Sequence, residues 1–231
     1  LSTRETAGNE ETLWLLGPAD WERLRTRTMF PDERESVYFR TGGQAVLRSQ
    51  TKGRGIYALF RCGEFGLGLE GSCGHSHADI LSPVIYWRGE LMCVDSGTFA
   101  YYCRKEKRLQ FRSTAFHNTI APMGVEQGEM LSIHTWGALP KTELLEWNEE
   151  AGNVTCRFRM RSPNGYEQSR AFYLNQKEGT LRIDDTLEYL SGATWHGYLH
   201  FAPGLHFDLK ASTLSVLDTD MQHLARITFT G

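Results

Sequence analysis

Two histidines one residue apart, His75 and His77, stand in the segment Gly74-His75-Ser76-His77-Ala78-Asp79. Side chains alternate between faces on an extended chain, so both imidazoles are expected on one side. Paired imidazoles fill a core poorly and are suited to holding a metal or moving protons. The structural alternative is a pair of satisfied surface histidines. Asp95 follows in Cys93-Val94-Asp95-Ser96-Gly97, and His117 in Phe116-His117-Asn118-Thr119. His77, Asp95 and His117 form a donor set suited to Zn2+, with a fourth position left for water or another ligand. A bend near Pro83 is needed to bring His77 to Asp95. An Asp at a strand end also serves as a turn residue, and spacing alone leaves both roles open.

Between Asp95 and His117 the chain reads Tyr101-Tyr102-Cys103-Arg104-Lys105-Glu106-Lys107-Arg108-Leu109-Gln110-Phe111-Arg112. It is read as a basic loop, either a solvated charge run or an anion site. The adjacent tyrosines favour the second reading, because tyrosine both stacks on sugars and moves protons.

These residues need a scaffold, and hydrophobic periodicity supplies most of it. Asn9, Glu10 and Glu11 open a short helix carrying Leu13 and Leu16, and Gly17-Pro18 stops it, with a further helical turn from Pro18 through Leu24. From Glu35 onward the period is two. Val37–Arg40, Ala45–Arg48 and Ile56–Phe60 read as strands, and Val84–Trp87 with Glu90–Asp95 reads as a hairpin about Arg88-Gly89. Val154–Met160, Ala171–Leu174 and Thr180–Asp184 continue the pattern, and Thr194–Phe201 is expected to pair with Leu205–Leu209 around Pro203-Gly204. Many short strands at regular spacing predict an all-β fold, a large antiparallel multi-sheet sandwich with a helical stub in front.

Composition narrows the function classes. The chain has 231 residues, 40% of them hydrophobic, enough for a sizeable core. With 25 Lys+Arg against 28 Asp+Glu, its net charge of −3 disfavours a protein that coats nucleic acid. The apolar-looking run Ile80–Trp87 is far short of the roughly 20 residues of a membrane span. Five cysteines, odd in number and without a CxxC, fit buried thiols better than a zinc finger or a disulfide framework. No targeting signal is visible, and a start at Leu1 is expected of a fragment or processed product.

The stretch 74–127 resembles the C-terminal β-sandwich of the heparinase II/III-like polysaccharide lyases, oligoalginate lyases included. The resemblance is carried by His75-Ser76-His77-Ala78-Asp79, Gly89-Glu90, Val94-Asp95-Ser96-Gly97-Thr98, Tyr101, Arg108, Phe111-Arg112-Ser113-Thr114, His117-Asn118-Thr119, Gly124 and Gln127. It implies an α-helical toroid followed by a sandwich. Residues 1–30 would then be the helical tail of an upstream toroid, and 31–231 the sandwich. It also implies β-elimination of an anionic, uronic-acid-containing polysaccharide bound in the cleft between the two domains. In that scheme His75, with Tyr101 or Tyr102, serves proton transfer, and His77, Asp95 and His117 hold a site-organising Zn2+. Arg104, Arg108 and Arg112 hold carboxylates or sulfates, with Asn118 beside them on the substrate side. The family's principal Tyr and its carboxylate-neutralising Asn or His lie in the toroid, so this chain by itself is expected to be inactive. A periplasmic or secreted location is implied as well.

Two other readings compete. A cupin-type metal enzyme also begins with His-x-His, but it wants a Glu shortly afterwards, where this chain has Asp79-Ile80-Leu81-Ser82. A non-catalytic carbohydrate-binding or structural sandwich is the other.

Overall fold

The computed structural model describes residues 10–26, 35–49, 55–66, 73–102, 104–189 and 192–230. The chain divides into two compact units, Leu1–Glu35 and Ser36–Gly231. The described part of the first unit is one kinked helix, α1 (Glu10–Thr26), broken at Gly17, whose φ of 76° and ψ of 167° are not helical, with Pro18 just after the break. Gly17-Pro18 therefore separates two helical pieces, as their sequence predicts. The expected cap, Asn9, lies outside the described residues.

In the second unit, β1 (Val37–Phe39), β2 (Gln44–Arg48), β3 (Ile56–Arg61), β4 (Pro83–Trp87) and β5 (Glu90–Cys93) form an antiparallel sheet in chain order. Ile56, Ala58 and Phe60 of β3 are buried and alternate with less buried neighbours. The β4–β5 turn puts Arg88 at φ 54° and Gly89 at φ 88°. This left-handed pair matches the right-handed twist of the strands. A helix, α2 (Lys105–Arg112), a 3-10 turn (Thr114–Phe116) and β6 (Ile120–Pro122) follow. Next come β7 (Lys141–Glu150), β8 (Asn153–Arg161), β9 (Tyr166–Asn175) and β10 (Thr180–Tyr189), a second antiparallel sheet ordered β10-β9-β8-β7. Beyond it, β11 (Trp195–Gly197) pairs with β6, and β12 (His206–Lys210), β13 (Thr213–Leu217) and β14 (His223–Thr228) make a third meander.

The two large sheets meet face to face. Phe60 of β3 stacks on Phe172 of β9 with ring centroids 4.0 Å apart and meets Phe158 of β8 edge-on at 5.6 Å. Val154, Cys156, Phe158 and Met160 of β8 are all fully buried, every second residue of one strand. The all-β sandwich predicted from the period-two pattern is thus the observed architecture. Cys62, Cys73, Cys93 and Cys156 are free, and burial pushes the Cys62 and Cys93 thiols up to about 12.

Three local expectations are corrected. The basic segment is not a loop, because Lys105–Arg112 closes into α2. Thr194–Phe201 does not pair with Leu205–Leu209. β11 pairs with β6 and β12 with β13, because Pro203-Gly204 directs the chain to a different sheet. The segment Gly74-His75 turns instead of running extended, which leaves His75 exposed and His77 buried. Strand β7, with its Glu-rich and weakly alternating sequence, becomes a strand through its ladder with β8 at the sheet edge, where charge is tolerated.

The Phe60–Phe172 stack gives the first prediction. Phe172→Ala is expected to lower unfolding free energy by about 3–5 kcal/mol in urea titration. A loss under about 1 kcal/mol would mean that the two sheets are not joined through these rings.

Candidate functional site

Backbone ties position the histidine segment before its side chains do anything. The carbonyl of Ser76 accepts from Arg112 Nε at 3.2 Å and from Trp136 Nε1 at 3.0 Å, and the Ala78 amide donates to the Arg112 carbonyl at 2.9 Å. The carbonyl of His77 accepts from Arg61 Nη2 at 2.9 Å, while Arg61 also pairs with Asp79. Gln127, fully buried, clamps Ile80 from both sides: its Oε1 accepts from the Ile80 amide and its Nε2 donates to the Ile80 carbonyl, each at 2.9 Å. Buried polar backbone requires such partners, which is why a short irregular segment holds one geometry.

The second part of the site is the stretch around Asn118. Its amide donates to Ser82 Oγ at 2.8 Å, its Nδ2 donates to the carbonyls of Pro83 and Val94, both at 2.9 Å, and its Oδ1 accepts from the His200 amide at 2.6 Å. Arg170 of β9 reaches across to the carbonyls of Leu81 at 2.8 Å and Asn118 at 2.7 Å, and holds Asp185 of β10 through both carboxylate oxygens at 2.8 Å. Sheet two thus fixes both the turn after His77 and the residue after His117.

His77, Asp95 and His117 do come together. Asp95 Oδ2 lies 2.8 Å from His117 Nδ1, and the His77 and His117 ring centroids are 5.5 Å apart. Asp95 also acts as a turn residue, its Oδ1 accepting from the Gly97 amide at 2.8 Å. The turn role suggested by its position is therefore realised, and the same carboxylate hydrogen-bonds His117. Arg108 Nη1 sits 2.8 Å from His77 Nε2. Arginine can only donate, so His77 Nε2 carries no proton. Burial, then the neighbouring His117 and Arg108 charges, push the His77 imidazole down to about 3. Burial alone would raise the Asp95 carboxyl, but the His117 hydrogen bond and charge and the Gly97 amide outweigh it and hold the carboxyl below its ordinary value. His117 is fully buried, and its Nε2 makes no hydrogen bond. Among the described residues, no group of three or more His, Cys, Asp or Glu takes a metal-holding arrangement.

His75 and Tyr101 form the accessible pair: His75 Nδ1 lies 3.3 Å from the Tyr101 hydroxyl. Tyr102 is turned elsewhere, 88% exposed with its ring 5.6 Å from His134. His75 and His77 line a cavity of ≈ 320 Å³ together with Arg61, Asp79 and Thr98.

The four proposed substrate-side residues divide. Arg104, at the N-cap of α2, is exposed. Arg108 and Arg112, one helical turn apart, are fully buried, and Asn118 is 1% exposed. These three are corrected from substrate contacts to internal supports. Arg108 lies over the Tyr101 ring at 5.0 Å and Arg112 over the Trp136 ring at 4.6 Å. Burial, then the Arg108 charge, brings the Arg112 guanidinium down to about 10, so it stays a cation at neutral pH. Helix formation is the cause, since it turns every fourth residue of the basic run inward. Arg61, Trp136, His134 and Arg170 escape the sequence reading because no local spacing joins them to the histidines.

An antiparallel sandwich bearing a buried imidazole–carboxylate cluster beside an exposed His–Tyr pair defines the class of protein. Residues 31–230 match the family described as Heparinase II/III-like, C-terminal, and the chain belongs to that family. No curated protein matches it by sequence. Among solved structures, a heparinase III (the BT4657 gene product) superposes with a TM-score of 0.66 at 16% identity over 89% of this chain and 30% of its own. The heparan sulfate lyase HepC from Pedobacter heparinus gives 0.66 at 14% identity, and a mutant of it 0.68 at 13%, each over 91% of this chain and 31% of the other. These likenesses show the fold. The chain spans under a third of each of these proteins' lengths.

Two predictions come from this geometry. The unfolded His77 imidazole titrates near 6.5 and the folded one near 3, so the unfolded state gains the proton first as pH falls. Stability from this group is full above the unfolded value and drains away towards the folded one. With chelator present, it should contribute a loss of about 2 kcal/mol between pH 7 and pH 5. His77→Asn should flatten that slope in urea midpoints, and an unaltered slope would assign the titration to another group. Separately, Asp185→Asn should cost about 3–5 kcal/mol, because Arg170 then stays buried without its counter-charge. A loss near zero would show that the carbonyls of Leu81 and Asn118 suffice to hold it.

Proposed function

We propose that this chain is the sandwich portion of a periplasmic or secreted polysaccharide lyase that cleaves an anionic, uronic-acid-containing polysaccharide by β-elimination, acting against an upstream α-toroid. The observation that carries this reading is the His75–Tyr101 contact at 3.3 Å beside a cavity whose wall includes Arg61, His75 and His77. Family membership and the names of the structural neighbours support the class of reaction. Among the described residues, no helix is long and apolar enough to cross a membrane.

In β-elimination a base takes the proton next to the uronate carboxylate. The electron pair released forms a C=C bond as the neighbouring C–O bond breaks, and the departing oxygen takes up a proton. His75 and the Tyr101 hydroxyl are within reach of one another to take and return a proton. Arg108 over the Tyr101 ring adds positive potential where negative charge develops, while Arg61 at the cavity wall is paired with Asp79. Arg104 is the accessible cation for a further carboxylate or sulfate.

The zinc implied by the family would be held by His77, Asp95 and His117. The donor types suit it: a neutral buried imidazole at His77, an ionised Asp95 and an unpartnered buried nitrogen on His117, with the metal replacing the Arg108 contact at His77 Nε2. Bound there, it would supply a fixed positive charge that ties three separate segments together. His75, two residues from His77, would keep its place through that tie.

The test is the full-length protein on a panel of uronate polymers, followed by absorbance of the unsaturated product. Turnover is expected on at least one polymer. His75→Ala should lower kcat roughly 10²-fold or more with little change in melting temperature, and Tyr101→Phe should act in the same direction. Wild-type kcat in His75→Ala would remove His75 from the reaction. Binding without any unsaturated product would make the domain a carbohydrate-binding sandwich. Elemental analysis of protein purified without chelator should find zinc, and His77→Ala should lower metal content, melting temperature and kcat together. Zinc addition that leaves the melting temperature of metal-free protein unchanged would count against the metal site.

A further inference from the structure

An aromatic surface adjoins the His75–Tyr101 pair. Tyr102 is 88% exposed, an unusual setting for a large ring. Its centroid lies 5.6 Å from His134 and 6.4 Å from Tyr101. Tyr101 and His134 are 6.4 Å apart and nearly parallel, with 16° between their planes. Three rings from two segments distant in sequence thus stand side by side.

The His134 end is built to stay there. Arg112 Nη1 donates to the Ser132 carbonyl at 2.6 Å, the His134 amide donates to Ser132 Oγ at 3.2 Å, and the Leu131 and Ser132 amides both donate to the Thr135 carbonyl. Gly74 lets the histidine segment pass this turn closely, since a Cβ there would come within 2.9 Å of the His134 carbonyl oxygen. The His134 ring is half-buried, and its buried Nε2 has no hydrogen-bond partner, so its backbone does most to place it. Tyr102 is open to solvent and the half-buried His134 ring stands beside it, so together they present an aromatic face and edge. A pyranose offers a matching C–H face.

We infer that Tyr102 and His134 form a sugar-stacking subsite that receives one pyranose ring of the anionic polysaccharide next to the unit reacting at His75 and Tyr101. This rests on the lyase reading above. Tyr102 is then a binding residue and not a second proton carrier. Stacking needs the ring and not its polar atoms, so aromatic replacements should preserve it.

The experiment uses the full-length protein carrying His75→Ala, so that the probe survives, with a heparan sulfate tetrasaccharide and an alginate tetramer as probes in calorimetric titration. Tyr102→Ala and His134→Ala should each weaken the better-bound probe by roughly 3- to 10-fold, and Tyr102→Phe and His134→Phe should stay within about 2-fold. Unchanged affinity in both Ala variants overturns the subsite, while turnover by the wild-type protein still upholds the lyase reading. A loss in Tyr102→Phe as large as in Tyr102→Ala overturns stacking in favour of the hydroxyl. No binding of either probe overturns the subsite, and no unsaturated product from any uronate polymer overturns the lyase reading. Should His134→Ala fail to fold, Tyr102→Ala decides alone, because so exposed a side chain can be removed without disturbing the core.

Discussion

The guanidinium of Arg170 is the point through which the candidate site is fastened to the sandwich. It lies on β9, is nearly buried, and spends its donors on the carbonyls of Leu81 and Asn118 and on both oxygens of Asp185. A buried cation left without partners costs several kcal/mol, so its geometry tolerates little drift. One carbonyl follows the His75–His77 segment and the other follows His117. Gln168, two residues earlier on the same face of β9, adds a second fastening: it accepts from Thr119 Oγ1 at 3.2 Å and donates to Asp185 at 2.8 Å. The register of β9 on β10 therefore sets the separation of the two histidine-bearing segments.

The cations of α2 solve a different problem. Arg108 and Arg112 are fully buried, and among the described residues neither makes an ion pair. Each lies over an aromatic ring and hydrogen-bonds to the histidine segment, Arg108 to the His77 ring and Arg112 to the Ser76 carbonyl. Arg108 Nε and Nη2 and Arg112 Nη2 remain without hydrogen bonds. Two neighbouring cations with unspent donors leave a positive field behind the His75–Tyr101 pair. That field suits an anionic substrate and opposes protonation of His77, in keeping with its lowered pKa.

The motif between Gly74 and Gln127 thus mixes two kinds of residue. His75 and Tyr101 are accessible and face a cavity or one another. Gln127, Asn118 and Arg112 are interior braces whose hydrogen bonds are made almost wholly with backbone. Sequence spacing treats both kinds alike, because a brace and a reacting group can occupy adjacent positions. Burial separates them, and burial is a property of the packed chain.

Residue types and local period were enough to mark the chemistry and the fold class. The His-x-His segment, Asp95, His117 and the tyrosine pair stood out by composition and order, and period-two patterning announced the strands that became β1 to β5 and β8 to β10. The hairpin at Arg88-Gly89 and the break at Gly17-Pro18 were legible as well, since turn chemistry acts between neighbouring residues. Tertiary structure alone decided that the basic run is a helix with Arg108 and Arg112 turned inward, that β11 pairs with β6, and that Tyr101 meets His75 while Tyr102 meets His134. It also brought in Arg61, Trp136, His134 and Arg170. Those choices are made by contacts between residues far apart in the chain, where the burial of rings and the partnering of buried cations outweigh any preference a short segment has by itself.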